Sequence, residues 1–152
     1  LLVLAWVGAD FPDNPANNPA LLEVALSDLV TSLTGAGLRV VLVGPVPELP
    51  WDVGTHLKAA VLYDTPIPTP PPVSEIQARQ ARTLTILNSV TDTPGVVLVE
   101  LTDALCAKTC PTQDGLSAYY RDNNHLSPLG AERLALPVLN ARWPAPAASA
   151  RN

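Results

Sequence analysis

A continuous apolar run of strand length, Leu1 to Val7, and a second buried-type strand, Leu38 to Val43, bracket a stretch with helical spacing, and that order leaves few folds open. A continuous apolar run implies a strand covered on both faces, as in a parallel sheet. Between the runs, Asn18 before Pro19 is a helix start, because Asn caps free amides and Pro suits the first helical position. Leu22, Leu26, Leu29 and Leu33 then recur along one face, and Gly35 and Gly37 provide a left-handed cap. Strand, helix and strand joined this closely form a βαβ unit, which requires a parallel pair and a right-handed crossover. The pattern then repeats. Ser74 with Gln77 reads as a capping box opening a helix that carries Ile76, Leu84 and Leu87 to about Val90, and after the Pro94-Gly95 turn Val96 to Leu101 is a third buried strand. The expected fold is α/β, a three-layer α/β/α sandwich with a parallel sheet. Three strands are few for such a sheet, and the chain contains no Met, so an N-terminal strand and helix are expected to be missing ahead of Leu1.

The connections carry more information. Gly44-Pro45-Val46-Pro47 ends the second strand, and the stretch through Trp51 and Asp52 is a loop at the carboxyl edge of the sheet, where open α/β folds bind ligands. Gly54-Thr55 marks a helix start, Pro66 to Pro72 an extended connection, and Thr102 to Leu105 a short helical turn followed by a cysteine loop. Ser127-Pro128 opens a last helix with Leu129, Ala131 and Leu134, bent or ended near Pro137. With 47% hydrophobic and 15% charged residues, positions 1–143 suit one compact domain, and 144–152 form a loose tail with little apolar bulk. No stretch approaches the uninterrupted apolar length that crosses a bilayer, and Leu1 to Val7 lacks the basic leader of a signal peptide. A net charge of −5 with scattered Lys and Arg gives no basic stripe, which argues against nucleic acid as a partner.

The chemistry concentrates in Tyr119 to Ala131. Asp122 and His125 lie in a polar stretch before a helix, where one turn can set the carboxylate against the imidazole. A carboxylate on one ring nitrogen fixes the tautomer and stabilises the imidazolium, leaving the other nitrogen to take a proton from a hydroxyl nucleophile. The alternative use of the same residues is a hydrogen-bonded loop histidine beside a turn-capping aspartate. Cys106 and Cys110 are close enough to form a small disulfide loop, to bind metal or to stay reduced, although neither His56 nor His125 stands at a zinc-finger spacing from them. His56, at the helix start, reads as a solvated or locally bonded histidine. Among Trp6, Trp51 and Trp143, Trp51 is the possible substrate contact, since it sits at the ligand-binding edge and an indole face can stack on a sugar ring. No metal or organic cofactor is implied.

Arg121-Asp-Asn-Asn-His-Leu-Ser-Pro-Leu-Gly-Ala131 resembles the last block of the SGNH hydrolases, also called GDSL-type esterases, where Asp-x-x-His precedes a polar residue, a Gly and a helix. Together with Val-Leu-Val-Gly-Pro-Val-Pro-Glu and the later Leu-Cys-x3-Cys, it is similar to the SGNH domains fused to integral-membrane O-acyltransferases that acetylate bacterial surface glycans. The likeness runs from Leu1 to about Leu136 and implies an SGNH, flavodoxin-like sandwich. It implies Asp122 and His125 as acid and base of a Ser-His-Asp triad, and Cys106 and Cys110 as a disulfide. It further implies an acyl donor and a glycan acceptor, a fused or partner integral-membrane acyltransferase, and an extracytoplasmic location tethered to the membrane. The family's Gly-Asp-Ser block does not occur, so the nucleophilic serine is expected outside this chain. Where the family offers an oxyanion-binding Gly-x-Asn-Asp, this chain reads Val7-Gly8-Ala9-Asp10, and no oxyanion role is assigned to Asp10. The resemblance implies an O-acyl esterase or acyltransferase; its rivals are a catalytically silent glycan-binding or docking module and a stand-alone secreted esterase.

Overall fold

The computed structural model of the chain describes residues 2–4 and 18–142. Trp6, Gly8, Asp10, Trp143 and the tail 144–152 lie outside the described residues. Strand β1 (Leu2–Leu4) is followed by helix α1 (Asn18–Gly35), β2 (Val40–Val43), α2 (Val53–Tyr63), α3 (Val73–Asn88) and β3 (Val96–Val99). The three strands form one parallel sheet in the order β1-β2-β3, with Leu4 opposite Val43 and Val43 opposite Val99.

Every side chain of β2 is buried, so alternate residues feed two cores. Val40 and Leu42 pack with Leu26 and Val30 of α1 and with Ile86, Leu87 and Val90 at the end of α3. Val41 and Val43 face the other way, with Val99 and Leu101, onto Val138 and Leu139 of the C-terminal helix. Helices therefore cover both faces of the sheet, which is the expected three-layer sandwich. Both crossover helices, α1 and α3, share one face, as a sheet ordered in sequence requires when crossovers keep one hand.

Several local expectations are corrected. The buried face of α1 is Leu22, Leu26, Val30 and Leu33, while Leu29 is exposed. Four-residue steps from Leu26 keep Val30 over β2, and Leu29 rotates off the seam. The helix ends as expected: Gly37 has φ 77°, its amide donates to the Thr34 carbonyl, and Leu38 N donates to Leu33 O at 3.0 Å. No capping box forms at α3. Its N-cap is Pro72, the amide of Val73 donates to the Lys108 carbonyl at 3.0 Å, and Gln77 reaches Asp103 instead. A carbonyl from the cysteine loop thus does the work expected of a local side chain.

After β3 come α4 (Leu101–Leu105), a small hairpin of β4 (Gln113–Asp114) and β5 (Ser117–Ala118), and α5 (Pro128–Gly130). A π-helical turn at Ala131–Ala135 leads into α6 (Leu136–Arg142). Pro137 does not end this last helix. The π turn places Leu136 N on Ala131 O, and its extra residue makes room for a ring that would otherwise meet the carbonyl four positions back.

Candidate active site

A third core cluster lies beyond the carboxyl ends of the strands and supports the site. It consists of Leu49, Val53, Leu57, Ile76, Cys110 and Tyr120, with Trp51, Cys106, Tyr119 and Leu126 packed against it. Tyr120 is buried to 1% exposure, and burial pushes its phenol above the ordinary tyrosine value. Cys106 and Cys110 are joined by a disulfide, S–S 2.07 Å, so the open choice among bridge, metal and free thiols resolves to the bridge.

The Asp122–His125 loop is fixed mainly by its backbone. At its base Tyr120 and Leu126 form an antiparallel bridge, and Arg121 N donates to His125 O at 2.8 Å. On one side Leu49 N donates to Asn123 O at 2.8 Å and Val53 N to Asp122 O at 3.3 Å, tying the loop to the segment that leaves β2. On the other, Ser127 N donates to Tyr119 O, and the Ser127 hydroxyl donates to Ala118 O and accepts from Gly130 N. Ser127 is therefore a helix cap, as its position before Pro128 suggested. Two glycines permit close approach. A Cβ on Gly54 would stand 2.9 Å from Arg121 O, and one on Gly130 would collide with Tyr119 O.

Within this frame His125 Nδ1 lies 2.9 Å from Asp122 Oδ2 and 3.1 Å from Oδ1. The same carboxylate caps its own turn, for Oδ1 accepts from the amides of Asn124 at 3.0 Å and His125 at 2.8 Å. The two uses weighed as alternatives for this aspartate coexist. Partial burial pushes the Asp122 carboxyl up, but the amides of Asn124 and His125 and the His125 ring outweigh it and hold the carboxyl at about 2. Arg121 adds a contact to Oδ2 at 3.5 Å from a side chain 72% exposed, worth little in solvent. Nδ1 donates to a carboxylate, so the neutral ring keeps a lone pair on Nε2. The His125 side chain is 63% exposed, and Nε2 has no hydrogen-bond partner among the described residues.

Trp51 is partly buried and meets His56 in a T-shaped arrangement, with ring centroids 6.5 Å apart at 69°. His56 is locally bonded, as expected: Nδ1 donates to Asp52 O at 2.8 Å while Asp52 caps α2 through Thr55 N. The amides of Leu49 and Val53, Gly54 and the coupling of His56 to Trp51 escape a reading of the sequence, since only the fold brings residues 49–56 against 121–123. No group of three or more potential metal-ligating side chains exists among the described residues.

The family model described as the SGNH domain fused to AT3 domains matches residues 2–147. The chain belongs to that family. No curated protein matches the sequence of this SGNH domain. Among solved structures, it is similar to the periplasmic domain of a lipopolysaccharide acetyltransferase from Salmonella ser. Paratyphi A, with a TM-score of 0.61 at 18% identity. The match covers 91% of this chain and 54% of that one, so the SGNH domain spans about half the length of that structure. At this identity the likeness speaks to fold, and the fold agrees. No helix among the described residues is long and apolar enough to cross a membrane.

Proposed function

We propose that this SGNH domain performs acyl-ester chemistry, with His125 as general base and acid, Asp122 as the carboxylate that holds it, and a nucleophilic serine that none of these residues supplies. The observation that carries the reading is the pairing of His125 Nδ1 with Asp122, which leaves Nε2 without a hydrogen-bond partner among the described residues, on a side chain open to solvent. In the first step the serine hydroxyl attacks the ester carbonyl while Nε2 takes its proton, then gives that proton to the departing alkoxide. In the second, a sugar hydroxyl or water attacks the acyl-serine, loses its proton to Nε2, and the proton returns to the serine oxygen. Asp122 remains ionised and stabilises the imidazolium in both steps. In this reading the substrates are an acyl donor and a glycan acceptor, and the activity is O-acetyl transfer to or from a cell-surface glycan. The domain works on the extracytoplasmic side as part of a larger membrane acyltransferase, the setting that the fusion of its family to AT3 domains supports.

The test compares the 152-residue chain with a version joined to the genomically upstream segment, using a fluorophosphonate probe and p-nitrophenyl acetate. The extended protein is expected to label and to hydrolyse the ester in a His125-dependent way, and the chain alone to do neither. Labelling of the chain at one of its own serines overturns the account of the nucleophile. An extended protein that neither labels nor turns over points instead to a silent glycan-binding module.

A further inference from the structure

We infer that Trp51 and His56 form a subsite for a hydroxyl-bearing sugar ring beside the Asp122–His125 pair. The identity of the ligand rests on the glycan reading above. The location follows from backbone geometry: Trp51 lies between Leu49 and Val53, the two residues whose amides bond the Asn123 and Asp122 carbonyls. The indole is therefore carried on the segment that touches the reacting loop, and Gly54 allows that contact to be close.

The chemistry of the pair is that of carbohydrate recognition. Trp51 packs against the cluster that contains Val53 and Leu57 yet is only partly buried, so part of the side chain stays open to a ligand, and an indole suits the C–H face of a sugar. Beside it, His56 has its Nδ1 committed to the Asp52 carbonyl at 2.8 Å. A carbonyl only accepts, so Nδ1 carries the hydrogen and neutral Nε2 presents a lone pair with no partner among the described residues. That nitrogen accepts from a hydroxyl; an apolar ligand would leave it unpaired. The two ring centroids are 6.5 Å apart, near enough for a single pyranose to reach both side chains. An anionic polymer is a poor alternative occupant on a domain of net charge −5.

The experiment is a titration of the full 152-residue chain with methyl α-D-glucopyranoside, methyl α-D-mannopyranoside and methyl α-L-rhamnopyranoside in turn. It is followed by Trp51 indole N–H and His56 ring shifts in NMR spectra. At least one glycoside is expected to give saturable shifts at both rings. Trp51→Ala is expected to weaken that response about tenfold, and His56→Phe several-fold, since Phe keeps the ring contact but not the acceptor. Trp51→Phe serves if Trp51→Ala unfolds, and is expected to weaken binding less. No saturable response with any of the three, shifts mapping elsewhere, or equal affinity in the Trp51 and His56 variants overturns the subsite. His125→Ala separates the two proposals. It is expected to keep the sugar response while removing ester turnover from the extended protein, so a failure of the catalytic reading leaves the binding result standing.

Discussion

Asp122 is asked to do two things with one carboxylate: cap a turn through the Asn124 and His125 amides and hold the His125 ring. Asp122→Asn separates the tasks. The amide oxygen still accepts from the backbone, but its NH2 group cannot accept from Nδ1–H, so the ring loses its orientation. In the serine-containing protein turnover is expected to fall by about 10³ to 10⁴ while the fold survives, measured as kcat with circular dichroism as the control. The same residue sets an acid limit. Its folded carboxyl titrates at about 2 against 3.8 ordinarily, so between those values the unfolded chain binds more protons and stability rises with pH. The contribution is complete above the upper value and disappears as pH falls through the lower. It is on the order of 1 kcal/mol after solvent screening, and Asp122→Asn should flatten that limb of the denaturation profile. The pair itself was legible in the sequence because a three-residue spacing can be closed by one local turn. Leu49, Val53 and Gly54 were not, because their contacts depend on a tertiary encounter that no local pattern encodes.

At the scale of elements, close packing against carbonyls governs what can change. Gly54→Ala puts a methyl 2.9 Å from Arg121 O, and since α2 is anchored by Val53 and Leu57 the loop must yield. A loss of about 1 to 3 kcal/mol is expected in urea denaturation, together with a displaced His125 ring resonance. Gly130→Ala meets Tyr119 O far more severely, and soluble expression is expected to collapse. Replacing Cys106 and Cys110 by Ala removes a short covalent loop, worth about 2 kcal/mol on the chain-entropy account. It also loosens the Lys108 carbonyl that caps α3, so hydrogen exchange should quicken first at Val73. Sequence periodicity located the five main strands and helices of the sheet and its crossovers because their apolar faces are long. It placed Leu29 on the wrong side of α1, since Leu29 and Val30 are both apolar and only the angle to β2 selects between them. The two-residue strands β4 and β5 are too short to show alternation, and the π turn has no composition that marks it.

Across the whole molecule, the segments leaving β2 and β3 are tied to one buried glutamine. Gln80 of α3 is 4% exposed, donates to Val46 O at 2.7 Å and accepts from the Thr102 hydroxyl at 2.5 Å. Gln80→Leu keeps the volume and strands both partners, so a loss of about 2 to 4 kcal/mol is expected, read as a lower denaturation midpoint. Gln80→Glu with Thr102 intact should recover part of it only where the acid is protonated. The loop bearing Asp122 and His125 is held by a different principle: its ties at Leu49, Val53, Arg121 and Ser127 run chiefly from main chain to main chain. Amides are common to nearly every residue type, so such a mount is blind to the letters that occupy it. Asn123, which is only partly buried, can change without touching those ties, whereas Leu49 and Val53 answer to the packing of the third cluster and stay apolar. A mount of this kind leaves room for the same fold to be built from sequences as different as 18% identity.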